Sequence, residues 1–209
     1  MPARQALAAL FAFALAVSMA VTAQEVTHGA QRLFLEGRYE AARVASLEAI
    51  SANPADIEAA VILAWSLLAL DRPADAEIYA LKAWKLRNDP RLAEALGEAA
   101  FHLGHNESAL TYLQQYVAAG SEGPRVGNAY YFMGEIYLRS ARYGHADIAF
   151  GAAIRYAPTN ARWWARLGWA REKSGDLSNA LRAYEEALRL DPRLDDAILG
   201  FARTRAAIR

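Results

Sequence analysis

The sequence contains no cysteine, which removes disulfides, thiolate catalysis and cysteine-bearing metal sites together. It also lacks an excess of either charge, since 23 Lys and Arg stand against 23 Asp and Glu. A neutral chain has no overall basic field to draw it to nucleic acid or an anionic membrane, so neither is expected as the main partner. Histidine is scarce: His28, His102, His105 and His145 are scattered along the chain. Only His102 and His105 are close, and Gly104 places the second in a turn, so no helical ligand pair forms and no third ligand is supplied. The glycine pair Gly120 and Gly123 has neither a lysine partner nor phosphate-binding spacing. Ser, His and Asp all occur, but nothing sets them as nucleophile, base and orienter. No metal, no cofactor and no catalysis are therefore expected.

What is present begins with an address. Arg4 is the only charge in residues 1–23, followed by an apolar run from Ala6 to Val17 and a small-residue ending Val21, Thr22, Ala23. This is the layout of a secretory signal peptide cut after Ala23, with Ala20 as the alternative cut site. A retained anchor is the rival, because Ala6 to Ala23 just reaches the length of a bilayer span. Alanine is too weakly apolar, and Ser18 and Thr22 too polar, to favour it. The expectation is an exported protein of the periplasm or cell envelope, with no stable membrane insertion after cleavage.

Beyond residue 23 the chain repeats. Trp164, Leu167, Gly168 and Arg171 fall at i, i+3, i+4 and i+7, as on one helix face; Gly175 and Asp176 make a turn; Ala180, Tyr184, Ala187 and Leu188 repeat the pattern, and Pro192 closes the unit. Sliding this unit back finds alanine each time in the place of Ala180: Ala42, Ala76, Ala109 and Ala146, spaced 34, 33, 37 and 34 residues apart. A small side chain there lets two helices cross closely. The unit at 127–160 is nearly as regular, with Tyr130, Met133, Gly134, Tyr137, Ala146, Phe150 and Pro158 in register. The first unit is weakest and lacks the tryptophan, and the third ends in a longer stretch from Gly120 to Pro124.

Those residues at those spacings resemble the tetratricopeptide repeat. The resemblance implies an all-α, right-handed solenoid of five helix-turn-helix repeats over 24–54, 55–89, 90–126, 127–160 and 161–194. A capping helix follows over 195–209, with Ile198, Phe201 and Ala202 on its apolar side, covering the face the last repeat would leave in water. Arg171 stands where the family prefers tyrosine, either extending its stem along the core with its head in water or pairing with Glu135 or Glu172.

In this family the stripe of each first helix that does not meet its own second helix lines a concave groove. Here that stripe starts from Arg162, Ala165, Trp169, Glu172 and Lys173. Carried back through the repeats, it nominates Trp65, Glu98, Phe101, Tyr131, Glu135, Arg139, Arg162, Arg166 and Trp169 as partner-binding residues. Aromatic rings and arginines are the usual makings of interface hot spots. Some members bind acidic chain termini through a Lys and Asn clamp; this chain carries Ala165 and Tyr131 at one such position and Trp169 and Glu135 at another, so that clamp is absent. The resemblance thus implies a scaffold or adaptor that holds a peptide segment of a partner protein. The alternatives are a self-associating building block and a groove for a small apolar ligand.

Overall fold

The computed structural model describes residues 25–120 and 124–208. The expected signal segment and its cleavage site lie outside them. Eleven helices occupy the described residues, which contain no strand, as an all-α fold requires. They are α1 (residues 25–35), α2 (Tyr39–Ala52), α3 (Ile57–Ala69), α4 (Pro73–Trp84), α5 (Pro90–His102), α6 (Asn106–Ala118), α7 (Pro124–Arg139), α8 (Tyr143–Tyr156), α9 (Ala161–Ser174), α10 (Leu177–Leu190) and α11 (Asp195–Ile208). No described helix is long and apolar enough to cross a membrane.

Local chemistry starts and stops these helices. Side chains of Asp56, Asn160 and Asp176 accept the backbone N–H groups of Ala59, Trp163 and Asn179, satisfying donors that a first helical turn leaves orphaned. Pro73 occupies the first turn of α4, where its missing N–H is no loss. Between the helices of each pair the chain enters the left-handed region at Gly37, Asp71, Gly104, Ala141 and Gly175. Glycine takes that conformation freely, whereas Asp71 and Ala141 hold it against steric cost.

The chain divides between Ala99 and Ala100 into two units. In the first, α1 and α2 close around Ala30, Ala42 and Ile62, and the following helices around Leu63, Leu67, Ala76 and Ala99. The hydroxyl of Thr27 donates to Asp56 at 2.7 Å, tying α1 to the cap of α3. In the second unit α7 pairs with α8 and α9 with α10, and α11 packs on both α9 and α10.

All five register alanines, Ala42, Ala76, Ala109, Ala146 and Ala180, are fully buried. Close crossing has a second device in the second unit. A Cβ on Gly134 would lie 2.7 Å from the Phe150 ring, and one on Gly168 2.9 Å from the Tyr184 ring. The first helix must therefore present bare backbone to the aromatic side chain of the second.

Three expectations are corrected. On α9 Leu167 and Gly168 are buried as expected, but so are Trp163, Ala165 and Ala170, whereas Trp164 is half-buried and donates its indole N–H to the carbonyl of Pro158 at 2.9 Å. Ala165 therefore belongs to the core, not to a free stripe. The reason is that α9 is covered from two directions, by α10 and by α8, and so buries more than one stripe. Arg171 takes neither Glu135 nor Glu172; its guanidinium reaches back to Asp147 of α8 at 2.7 Å. On α11 the buried residues are Ala197, Gly200 and Thr204. Phe201 is half-buried, and Ile198 and Ala202 are exposed. Gly200 sits so close to Tyr184 that it dictates the rotation of the helix and turns Ile198 outward.

Candidate functional site

Within the second unit, α7, α9 and α11 lie side by side and share a ladder of ion pairs. Arg166 of α9 forms two parallel hydrogen bonds to Glu135 of α7, at 2.5 and 2.6 Å. Arg203 of α11 does the same to Glu172 of α9, at 2.5 and 2.6 Å. The two pairs share one spacing, 31 residues from acid to arginine. Fork-to-carboxylate bonding fixes geometry as well as charge, so it holds neighbouring first helices in register. Glu172 also accepts the hydroxyl of Tyr184 at 2.8 Å. Arg203 beside it holds the Glu172 carboxyl below the usual glutamate range, a pull that outweighs the opposing effect of burial. Burial first, then the bond to Glu172, pushes the Tyr184 phenol up.

Aromatic rings pave the same side. Tyr131 of α7 stacks on Trp163 of α9, centroids 5.6 Å apart and planes at 14°. Phe101 packs against Phe132 at 4.8 Å, and the Arg139 guanidinium lies 4.2 Å from the Phe101 centroid. Arg166, already clasped by Glu135, lies 4.2 Å from the Trp169 centroid. Even so covered, Trp169 remains 37% exposed. It opens onto a cleft of about 160 Å³ lined by Ala165, Arg166, Trp169, Tyr184, Asp196, Leu199 and Arg203. That is less than the roughly 300–1,000 Å³ usual for a small-molecule pocket and suits one side chain of a longer ligand.

The nominated residues therefore separate. Tyr131, Glu135, Arg139, Arg162, Arg166 and Trp169 come together on α7 and α9. Phe101 is buried, presenting its ring to Phe132 and Arg139. In the first unit, the half-buried Trp65 donates its indole N–H to the buried Glu94 at 2.7 Å, and its ring lies 5.9 Å from Phe34. Glu98 is half-buried on α5.

Trp163, Leu199 and Arg203 escaped the sequence reading. Trp163 was hidden by its neighbour Trp164, which carries the motif register. The recurrent 31-residue interval was the available signal for Arg203, because it repeats the interval from Glu135 to Arg166.

The field over this face is uneven. Around the Tyr131 hydroxyl stand the carboxylate of Glu135 and three guanidiniums, those of Arg166, Arg162 and Arg139. Burial, with Glu135, raises the Tyr131 pKa, and the three arginines oppose the rise. Arg162 is exposed and has no hydrogen-bond or ion-pair partner among the described residues. Among those residues no cluster of three or more His, Cys, Asp or Glu is placed to hold a metal ion. What this arrangement offers is rigid apolar area with fixed donors beside it, which is recognition chemistry.

Family models for the tetratricopeptide repeat match residues 29–131, 127–160 and 161–194. No curated protein matches the sequence. Similar solved structures include MamA from Desulfovibrio magneticus RS-1, at 22% identity and TM-score 0.67, covering 83% of this chain and 97% of that one. PilF of Pseudomonas aeruginosa aligns at 15% identity and TM-score 0.76, covering 91% of this chain and 86% of that one. YrrB, a TPR protein with an unusual peptide-binding site, aligns at 18% identity and TM-score 0.66, covering 83% and 89% of the two chains. At such identities the likeness is one of fold.

Proposed function

The chain belongs to the tetratricopeptide repeat family, a family of protein-interaction scaffolds, and from that premise we propose that it holds a peptide segment of a partner protein along the face shared by α7, α9 and α11. The observation that carries this reading is Trp169, which stays exposed beside a cleft of single-side-chain size while Arg166 and Glu135 lock its position. A preorganised aromatic anchor next to fixed charges binds without a large ordering cost. YrrB, a TPR protein with a peptide-binding site, is in keeping with this use of the fold. The protein acts as an adaptor and not as a catalyst. Its N-terminal segment, by its layout, sends it to the cell envelope; N-terminal sequencing of the exported form tests this, and an intact Met1 would count against cleavage.

The test of the groove is a pull-down from envelope extract with wild type beside a Trp169→Ala, Arg162→Glu double variant, with circular dichroism confirming that both are folded. The variant should fail to recover the partner. Equal recovery by both proteins refutes the site.

Self-association is the second reading, and one observation favours it. Val44 of α2 and Ile78 of α4 are 52% and 51% exposed, each two residues past a buried register alanine. Apolar side chains recurring at one repeat position on the outer helices suit contact between copies. Sedimentation over a concentration series decides: a monomer throughout removes this reading.

A further inference from the structure

The peptide reading leaves open what kind of segment the face selects, and three observations narrow it. First, the charges do not pair off: Arg139, Arg162 and Arg166 all act on Tyr131, as does the carboxylate of Glu135. Glu135 is spent on Arg166, so Arg139 and Arg162 remain as surplus positive charge. Arg139 has only a 3.4 Å contact to the neutral amide of Asn106, together with its place over Phe101. In a chain of zero net charge this local excess is a feature of the face.

Second, the cleft beside Trp169 has apolar walls in Ala165, Leu199 and the Tyr184 ring, and its two arginines, Arg166 and Arg203, are both neutralised by carboxylates. The remaining charge lining it is Asp196, exposed and with no ion pair among the described residues. A carboxylate entering the cleft would meet that acid, whereas an apolar side chain would lose nothing. Third, Arg162, Arg166 and Trp169 lie on one stripe of α9. Arg162 and Trp169 are seven positions apart, about 10 Å along a helix axis, which an extended peptide covers in about three residues.

Resting on the groove reading, we propose that the face recognises an internal acidic residue placed two or three positions from a bulky apolar one. The acid meets Arg162 and Arg139 beside Tyr131, and the apolar side chain enters the cleft against Trp169 and Leu199. Charge complementarity chooses the acid and sets its register, and burial of the anchor provides the hold. Lys173, exposed at the far end of the same stripe, adds to the same sign and further disfavours a basic segment.

The test is selection of phage-displayed random dodecapeptides on the immobilised full chain. Enriched peptides are then titrated by fluorescence anisotropy against wild type, Trp169→Ala, Arg162→Ala and Arg162→Lys, each checked by circular dichroism. The enriched peptides should share Asp or Glu two or three places from Phe, Leu, Met or Trp. Trp169→Ala and Arg162→Ala should each weaken binding by about tenfold or more, as loss of a hot-spot contact does. Arg162→Lys should retain most of the affinity, and added salt should weaken the acid-dependent part. Peptides that depend on Trp169 but carry no acid, or carry a base in its place, overturn this inference and leave the groove reading standing. Peptides bound equally by all four proteins, or a selection that enriches nothing, overturn both.

Discussion

Gly200 of α11 offers a sharp test of how the C-terminal helix is seated. A methyl group there would lie 2.3 Å from Cζ, 2.4 Å from Cε1 and 2.7 Å from the hydroxyl oxygen of Tyr184. The ring cannot swing away freely. It is buried, it also faces Gly168, and its hydroxyl is bonded to Glu172, which Arg203 clasps in turn. Gly200→Ala must therefore push α11 outward or drive the ring off its partner. Overpacking alone costs about 1–3 kcal/mol, and losing the bond to the charged Glu172 adds about 1.5–3 kcal/mol. Together these give a loss of about 2.5–6 kcal/mol, read by urea denaturation followed by far-UV circular dichroism. Because repeats unfold in part, hydrogen exchange along α11 should accompany it, and α11 amides should lose protection first. Gly151→Ala is the control: nothing lies within 4 Å of its Cβ position on α8. There alanine should stabilise the helix by about 0.5–1 kcal/mol. The same substitution must thus act with opposite signs at the two positions. If Gly200→Ala left both the midpoint and the α11 protection at wild-type values, the close seating of α11 on Tyr184 would be wrong.

Ala141 holds φ at 55° in the turn before α8, where three of the equivalent turns use glycine. Ala141→Gly should raise stability by about 0.5–1 kcal/mol, the relief of left-handed strain less the entropy that glycine adds to the unfolded chain; thermal melting measures it. The Glu172 carboxyl is held below its ordinary value, so its contribution is present above the unfolded glutamate pKa and is lost as pH falls through the lowered one. Acid titration of stability should show this limb for wild type and a flatter one for Glu172→Gln. Finally, Trp163→Ala should cost about 3–5 kcal/mol as loss of a buried ring, whereas the exposed Trp169→Ala should cost far less stability while abolishing partner recovery; paired melting and pull-down assays separate the two.

The legibility of this fold rests on its repetition. Ala42, Ala76, Ala109, Ala146 and Ala180 mark the same close crossing five times, and a constraint that recurs at near-constant spacing is readable without any partner in view. Helix starts were equally local: Asp56, Asn160 and Asp176 cap the backbone amides three residues on, a bond that depends on nothing remote. The candidate site was less legible. Arg162, Arg166 and Trp169 were nominated from the repeat pattern and lie on one helix, α9, but Arg171, Trp163 and Gly200 were placed by neighbours that the motif does not specify.

By itself, then, the sequence determined the helices, their pairing and the repeat register, because each depends on contacts within some 34 residues and is written several times over. Only the tertiary structure decided which of three tryptophans on α9 is buried, which is half-buried and which meets solvent, and which carboxylate neutralises which arginine. The physical reason is that a first helix is covered from more than one side. Its rotation is set where a ring such as Tyr184 or Phe150 meets a bare glycine, and its charges are matched across an interval of 31 residues to a neighbour whose position no local pattern encodes.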